Sequence, residues 1–162
     1  MMKRIFVLGL ALCAISLAAF AQTSTTANVT ANVNAALTIT NTGALALGNV
    51  AQGATVTITS LTAGAATFTI QGAASAGTTV TVTDPVNLTF GANNLPFTGQ
   101  IPRFNVANVQ ATSTAFGALT GGSTTTSAGG QLFLWIGGSV TASGSQAAGS
   151  YSGTITVSFT QP

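Results

Sequence analysis

Histidine and glutamate are absent from this sequence, and Asp84 is its one acidic residue. General acid–base catalysis needs a titratable group within reach of the proton it moves, and the many serine and threonine hydroxyls have no base to activate them. Side-chain metal sites fail on the same inventory, because zinc takes three or four His, Cys or carboxylate ligands and calcium several carboxylates. The residues therefore predict a protein that is not an enzyme and carries no metal and no cofactor. Asp84 stands just before Pro85. It is expected to make a turn by accepting hydrogen bonds from nearby backbone amides.

Positive charge is almost as scarce, with Lys3, Arg4 and Arg103 as the only basic residues. The first two open the stretch "MMKRIFVLGLALCAISLAAFAQ", in which an apolar core and an Ala19-Phe20-Ala21 ending follow the charged start. That order is the pattern of a secretory signal peptide over residues 1–21, with a mature chain of residues 22–162. The apolar run is short for a membrane span of about 20 residues and no stop-transfer charges follow it, so no span is expected after cleavage. The lone cysteine, Cys13, lies inside this segment and away from its end, which leaves the mature chain without a disulfide. Residues 22–162 then carry Arg103 against Asp84, a net charge of 1 − 1 = 0. Binding a nucleic-acid backbone needs clustered Lys and Arg, which excludes that partner. A surface without net charge tolerates association, since repulsion normally keeps soluble proteins apart.

What the chain does have is alternation. From Gln22 onward apolar residues recur at every second position between clusters of Gly, Asn and Ser, the pattern of half-buried strands joined by turns. Strands are expected at "ANVTANV", "ALTIT", "ALALGNV", "TVTITS", "ATFTIQ", "TTVTVTD", "VNLTF", "FNVANVQ", "QLFLWIGGSV" and "SGTITVSFT". Residues 112–130, rich in small side chains, read as a long loop. Short strands with turn signals about 8 to 12 residues apart favour a single-domain sandwich, and a chain of this length buries about two-thirds of its unfolded surface. "QLFLWIGG" is apolar on both faces, which makes it the expected central strand and Trp135 a core anchor. In the closing strand Ile155, Val157 and Phe159 share one face, so it is expected inside the molecule's own sheet.

The T-x-T runs place threonines in rows on solvated faces. Such rows suit a glycan, and less readily ice, as a binding module. "TTANVTANVNA", residues 25–35, has Val29, Ala31 and Val33 on one face and the shape of a strand that adds to another subunit.

Three stretches together resemble a known family. "ALTITNTGALALGNVAQGATVTIT", "GGQLFLWIGGSVT" and "AAGSYSGTITVSFT" look like the bacterial secreted family catalogued as domain of unknown function 4402, which is similar to spore coat protein U and more distantly to fimbrial subunits. The resemblance implies an immunoglobulin-like, pilin-like antiparallel β-sandwich, export to the periplasm, cell surface or beyond, and a structural role with itself or related subunits as partners. Only architectural positions transfer: Leu47, Gly48 and Gly53 at an early turn, and Gly149, Tyr151, Gly153 and Val157 near the end. Spore coat and fimbrial relatives often carry a cysteine pair that this chain lacks.

Overall fold

The computed structural model describes residues 25–31 and 35–162. The expected signal peptide and Val33 lie outside the described residues. The chain divides into Met1–Val33 and Asn34–Pro162. Within the first unit, residues 25–31 carry no regular secondary structure and Val29 is 94% exposed, so the strand expected at "ANVTANV" is not formed there.

The second unit is built from antiparallel strands, and it is an all-β sandwich. One sheet runs in the order β1 (Thr38–Gly43), β3 (Ala66–Gln71), β10 (Gln131–Ile136), β7 (Arg103–Asn105), β8 (Thr114–Ala115). A second has β2 (Thr55–Ile58), β11 (Gly138–Thr141), β6 (Asn93–Gly99) and β5 (Asn87–Phe90). The third has β12 (Thr156–Thr160), β4 (Gly77–Thr83) and β9 (Gly121–Thr125). A 3-10 turn at Gln110–Thr112 is the helical content among the described residues.

Period-two patterning decides which side chains meet. β3 buries Ala66, Phe68 and Ile70, and β10 buries Leu132, Leu134 and Ile136 at the facing register. These meet Val80 and Val82 of β4 in one apolar cluster, joined by Phe116. A second cluster gathers Leu95 and Phe97 of β6 with Val140 of β11 and Ala142. Leu45 and Ile155 touch both clusters.

The stretch "QLFLWIGGSV" is two strands in two sheets, because the chain bends at Gly137. A Cβ there would meet the backbone O of Ile58 and the backbone N of Ser60, so only glycine lets the segments approach so closely. Ser60 locks the corner: its Oγ accepts from the Gly137 N–H at 2.9 Å and donates to the Ile101 carbonyl at 2.9 Å.

Several expectations are corrected. Trp135 is 4% exposed, but by alternation it lies on the face opposite Leu134 and Ile136, beside Thr67 and Arg103 and stacked with Phe133. Trp135 is thus among the buried core hydrophobics, on the face of β10 opposite the two clusters. "FNVANVQ" gives only the last residues of β7, since Asn105 folds the next segment into a turn through bonds to Ala107, Val109 and Thr112. β6 was hidden by Pro96, which is tolerated because β11 pairs with Phe97–Gly99 and β5 with Asn93–Pro96, leaving one neighbour at the proline. β9 falls inside the expected long loop. Its inward positions are Gly122 and Thr124, and the ring of Phe116 fills the space over Gly122 that an apolar side chain would signal.

Candidate functional site

The closing strand is an edge. β12 pairs with β4 alone, and its inward Val157 and Phe159 are only half-buried, so the expected interior placement does not hold. β1 is likewise the edge of its sheet, with Ile39 half-buried.

Between the segments that continue these two edges lies a cleft of about 770 Å³. Its floor is apolar, with Phe68, Leu95, Phe97 and Val140 reaching it from β3, β6 and β11. One wall is the connection from β1 to β2, where Leu45, Leu47 and Val50 turn half-buried inward. The opposite wall is the approach to β12, residues 147–155, with Tyr151 and Ile155 turned inward.

Both walls carry unspent backbone groups. "ALALGNV" has the alternation of a strand but joins no ladder. Among the described residues, the one backbone bond made by residues 45–50 runs from the Ala46 N–H to the Gly64 carbonyl at 2.8 Å. Across the cleft, Ser152 exchanges two bonds with Thr89, at 2.8 and 3.1 Å, and residues 153–155 make none. Peptide groups are obligatory hydrogen-bonding groups, and these two segments along one apolar trough leave main-chain donors and acceptors without a protein partner.

The walls are braced at one end. Tyr151 is half-buried against the second cluster and tilts against the Phe90 ring at 5.8 Å. Its hydroxyl donates to the Ala147 carbonyl at 2.9 Å and accepts from Gln146 Nε2 at 2.7 Å. Gln146 also donates to the Asn94 carbonyl at 3.1 Å, and Gln52 Nε2 reaches the Gln146 carbonyl at 2.6 Å. Sequence reasoning missed both glutamines, since nothing in their local pattern signals a long-range brace.

The architectural residues sort by place. Leu47 and Gly48 lie in the first wall, and Gly149 and Gly153 in the second. Gly53 has φ +75° as the third residue of a turn closed by the Ala54 N–H on the Ala51 carbonyl, a conformation that favours glycine. At Gly149 a side chain would strike the Phe90 ring, and at Gly153 it would lie 2.7 Å from Leu88. Val157 is beyond the cleft on β12.

Among the described residues, neither charged side chain lines the cleft. Arg103 Nε donates to Ser113 Oγ at 3.1 Å and Nη2 to the Ser113 carbonyl, which ties β7 to the loop after it. Asp84 does not make the expected turn bonds, for its Oδ1 is buried with no hydrogen-bond partner. Burial raises its pKa above the ordinary value of 3.8. Among the described residues there is no group of three metal-ligating side chains, and no helix long and apolar enough to cross a membrane.

The model of the family described as Domain of unknown function (DUF4402) matches residues 19–160, and the chain belongs to that family. No curated protein is similar enough to match.

Proposed function

We propose that this member of the family is an exported, non-catalytic structural protein of the bacterial cell surface or periplasm, which joins copies of itself or related subunits by strand addition. The observation that carries the reading is the cleft: an apolar trough whose two walls, residues 45–50 and 153–155, offer free main-chain groups. An added strand gains affinity from main-chain hydrogen bonds and specificity from pockets that take alternate side chains. On this reading the sandwich is immunoglobulin-like and pilin-like, lacking the strand between its two edges.

The segment of residues 25–35 supplies the added strand from a neighbouring copy. Its described part joins no ladder, Val29 is almost fully exposed, and Val29, Ala31 and Val33 alternate in the sequence as an added strand's side chains do. A chain with one aspartate and no histidine or glutamate has few groups for acid–base chemistry, which favours a role through such contacts. Export follows from the signal pattern at residues 1–21.

Gel filtration of residues 22–162 over a concentration series tests the proposal. Assembly should grow with concentration and be lost in the double variant Val29→Asp/Val33→Asp, whose melting temperature matches the parent's at concentrations where both are monomeric. A protein that remains monomeric at every concentration, or a variant that assembles as before, overturns it.

A further inference from the structure

The added segment and the cleft are tied to opposite ends of one strand. Residues 25–33 join β1 at Thr38 through the four residues 34–37, whereas the first wall of the cleft follows β1 beyond its other end, Gly43. Thr38 is held opposite Gln71 in the ladder with β3, which fixes where the strand begins. Chain length then decides how far the segment reaches along its own molecule.

The tightest return along the open edge of β1 is a two-residue turn at Ala36 and Leu37, which sets Ala35 opposite Thr38. Counting back in antiparallel pairing puts Val33 opposite Thr40, Ala31 opposite Thr42 and Val29 opposite Ala44. None of the three comes level with the inward residues of the wall, Leu45 and Leu47. Those two would meet Asn28 and Thr26 instead. A longer turn falls shorter still, and parallel pairing needs a return past the wall and β1, about 11 residues of chain at roughly 3.3 Å each. Four are present.

The trough itself suits an uncharged extended segment, since no charged side chain lines it and both walls leave main-chain groups free among the described residues. Residues 25–35 carry no charge. We propose, resting on the strand-addition reading above, that the shortness of the 34–37 connection bars each subunit from filling its own cleft and keeps that cleft open to a second copy. A tethered segment has an effective concentration near zero at a site its linker cannot span, however well it fits. The same segment on another molecule is free of that limit and takes the register that sets Val29, Ala31 and Val33 into the trough.

Ten Gly and Ser residues inserted between Asn34 and Ala35 of residues 22–162 test this, because they lift the limit for either pairing direction. The insertion variant should stay monomeric in gel filtration at concentrations where the parent assembles. Its melting temperature should stand several degrees above that of the same variant carrying Val29→Asp/Val33→Asp, which cannot fill the trough. A fluorescent peptide of residues 22–35 should bind the Val29→Asp/Val33→Asp protein with its natural connection, and bind the insertion variant about tenfold or more weakly. No binding to the first of these overturns strand addition, and the length limit with it. Where the peptide does bind, an insertion variant that assembles as the parent does, or takes the peptide equally well, leaves strand addition standing and overturns the length limit. A parent that is monomeric and excludes the peptide overturns it too, since its cleft would then be filled from within.

Discussion

The two apolar clusters of the sandwich are completed to different degrees. In the first, Ile70, Leu132, Leu134 and Ile136 are fully buried between β3, β10 and β4, and the ring of Phe116 closes the space left by small residues on β9. In the second, only Leu95, Phe97, Val140 and Ala142 are buried, and the residues packed against them, including Leu45, Leu47, Val50 and Tyr151, are half-exposed along the cleft. The difference teaches where the chain is self-sufficient. One cluster has a fully buried centre with half-buried residues at its margins, Val157 and Phe159 of β12 among them, whereas the other borders the cleft, at two walls with backbone groups to spare.

Leu134→Ala sharpens the comparison most. It empties a fully buried position in the closed cluster, at a cost of about 2–5 kcal/mol. Set against a total of about 5–15 kcal/mol, that loss is plain in the urea denaturation midpoint. Gly137→Ala acts at the corner joining the sheets that hold the two clusters. Its methyl group would stand on the backbone of Ile58 and Ser60, which cannot swing aside as a side chain can. The expected loss is about 1–3 kcal/mol, with the Gly137 corner pushed away from the Ile58–Ser60 backbone. A midpoint equal to that of the parent would show that the corner is looser than the Ser60 bonds imply.

How much of this was legible depended on whether a position was decided locally. β3 matches the segment read from its alternating Phe68 and Ile70, because the same residues that signal a strand also bury it. β9 escaped because the apolar group over it comes from Phe116, outside the strand. The cleft was half legible. Leu45 and Leu47 gave the first wall its period, but whether a strand-like segment finds a ladder is settled by its neighbours in space, which alternation does not encode. The edge position of β12 was lost for the same reason. Its pattern of one wet and one apolar face is common to edge and interior strands.

Leu47→Ala is the matching change in the open cluster. A half-buried leucine gives up about half of a full transfer value of roughly 1.5–3 kcal/mol, so the monomer should lose about 1 kcal/mol. Its effect on assembly should exceed its effect on folding, seen as a shift of the gel-filtration profile toward monomer at a concentration where the parent associates. A Leu47→Ala loss as large as that of Leu134→Ala would break the comparison, for it would mean that the second cluster is as closed as the first.

The smallest effect concerns Asp84, which sits under Gly99, where an added Cβ would overlap its carboxylate. Burial raises its pKa in the folded protein above the ordinary 3.8, so the unfolded chain releases this proton at a lower pH than the folded one. In the window between the two pKa values the folded state therefore holds more protons than the unfolded, and stability falls as pH rises through it. Below 3.8 both states are protonated and the penalty vanishes. The melting temperature should thus be higher at acidic than at neutral pH, the reverse of a protein whose carboxylates are paired. With no glutamate or histidine in the chain, few other groups titrate in this range to mask the trend. Asp84→Asn keeps the shape and removes the titration, so it should raise the neutral-pH melting temperature slightly and flatten the profile. A profile that rises with pH in the parent, or keeps its slope in the variant, would mean that the carboxylate finds a partner on folding, and Oδ1 would then not be the lone unpaired group beside the second sheet.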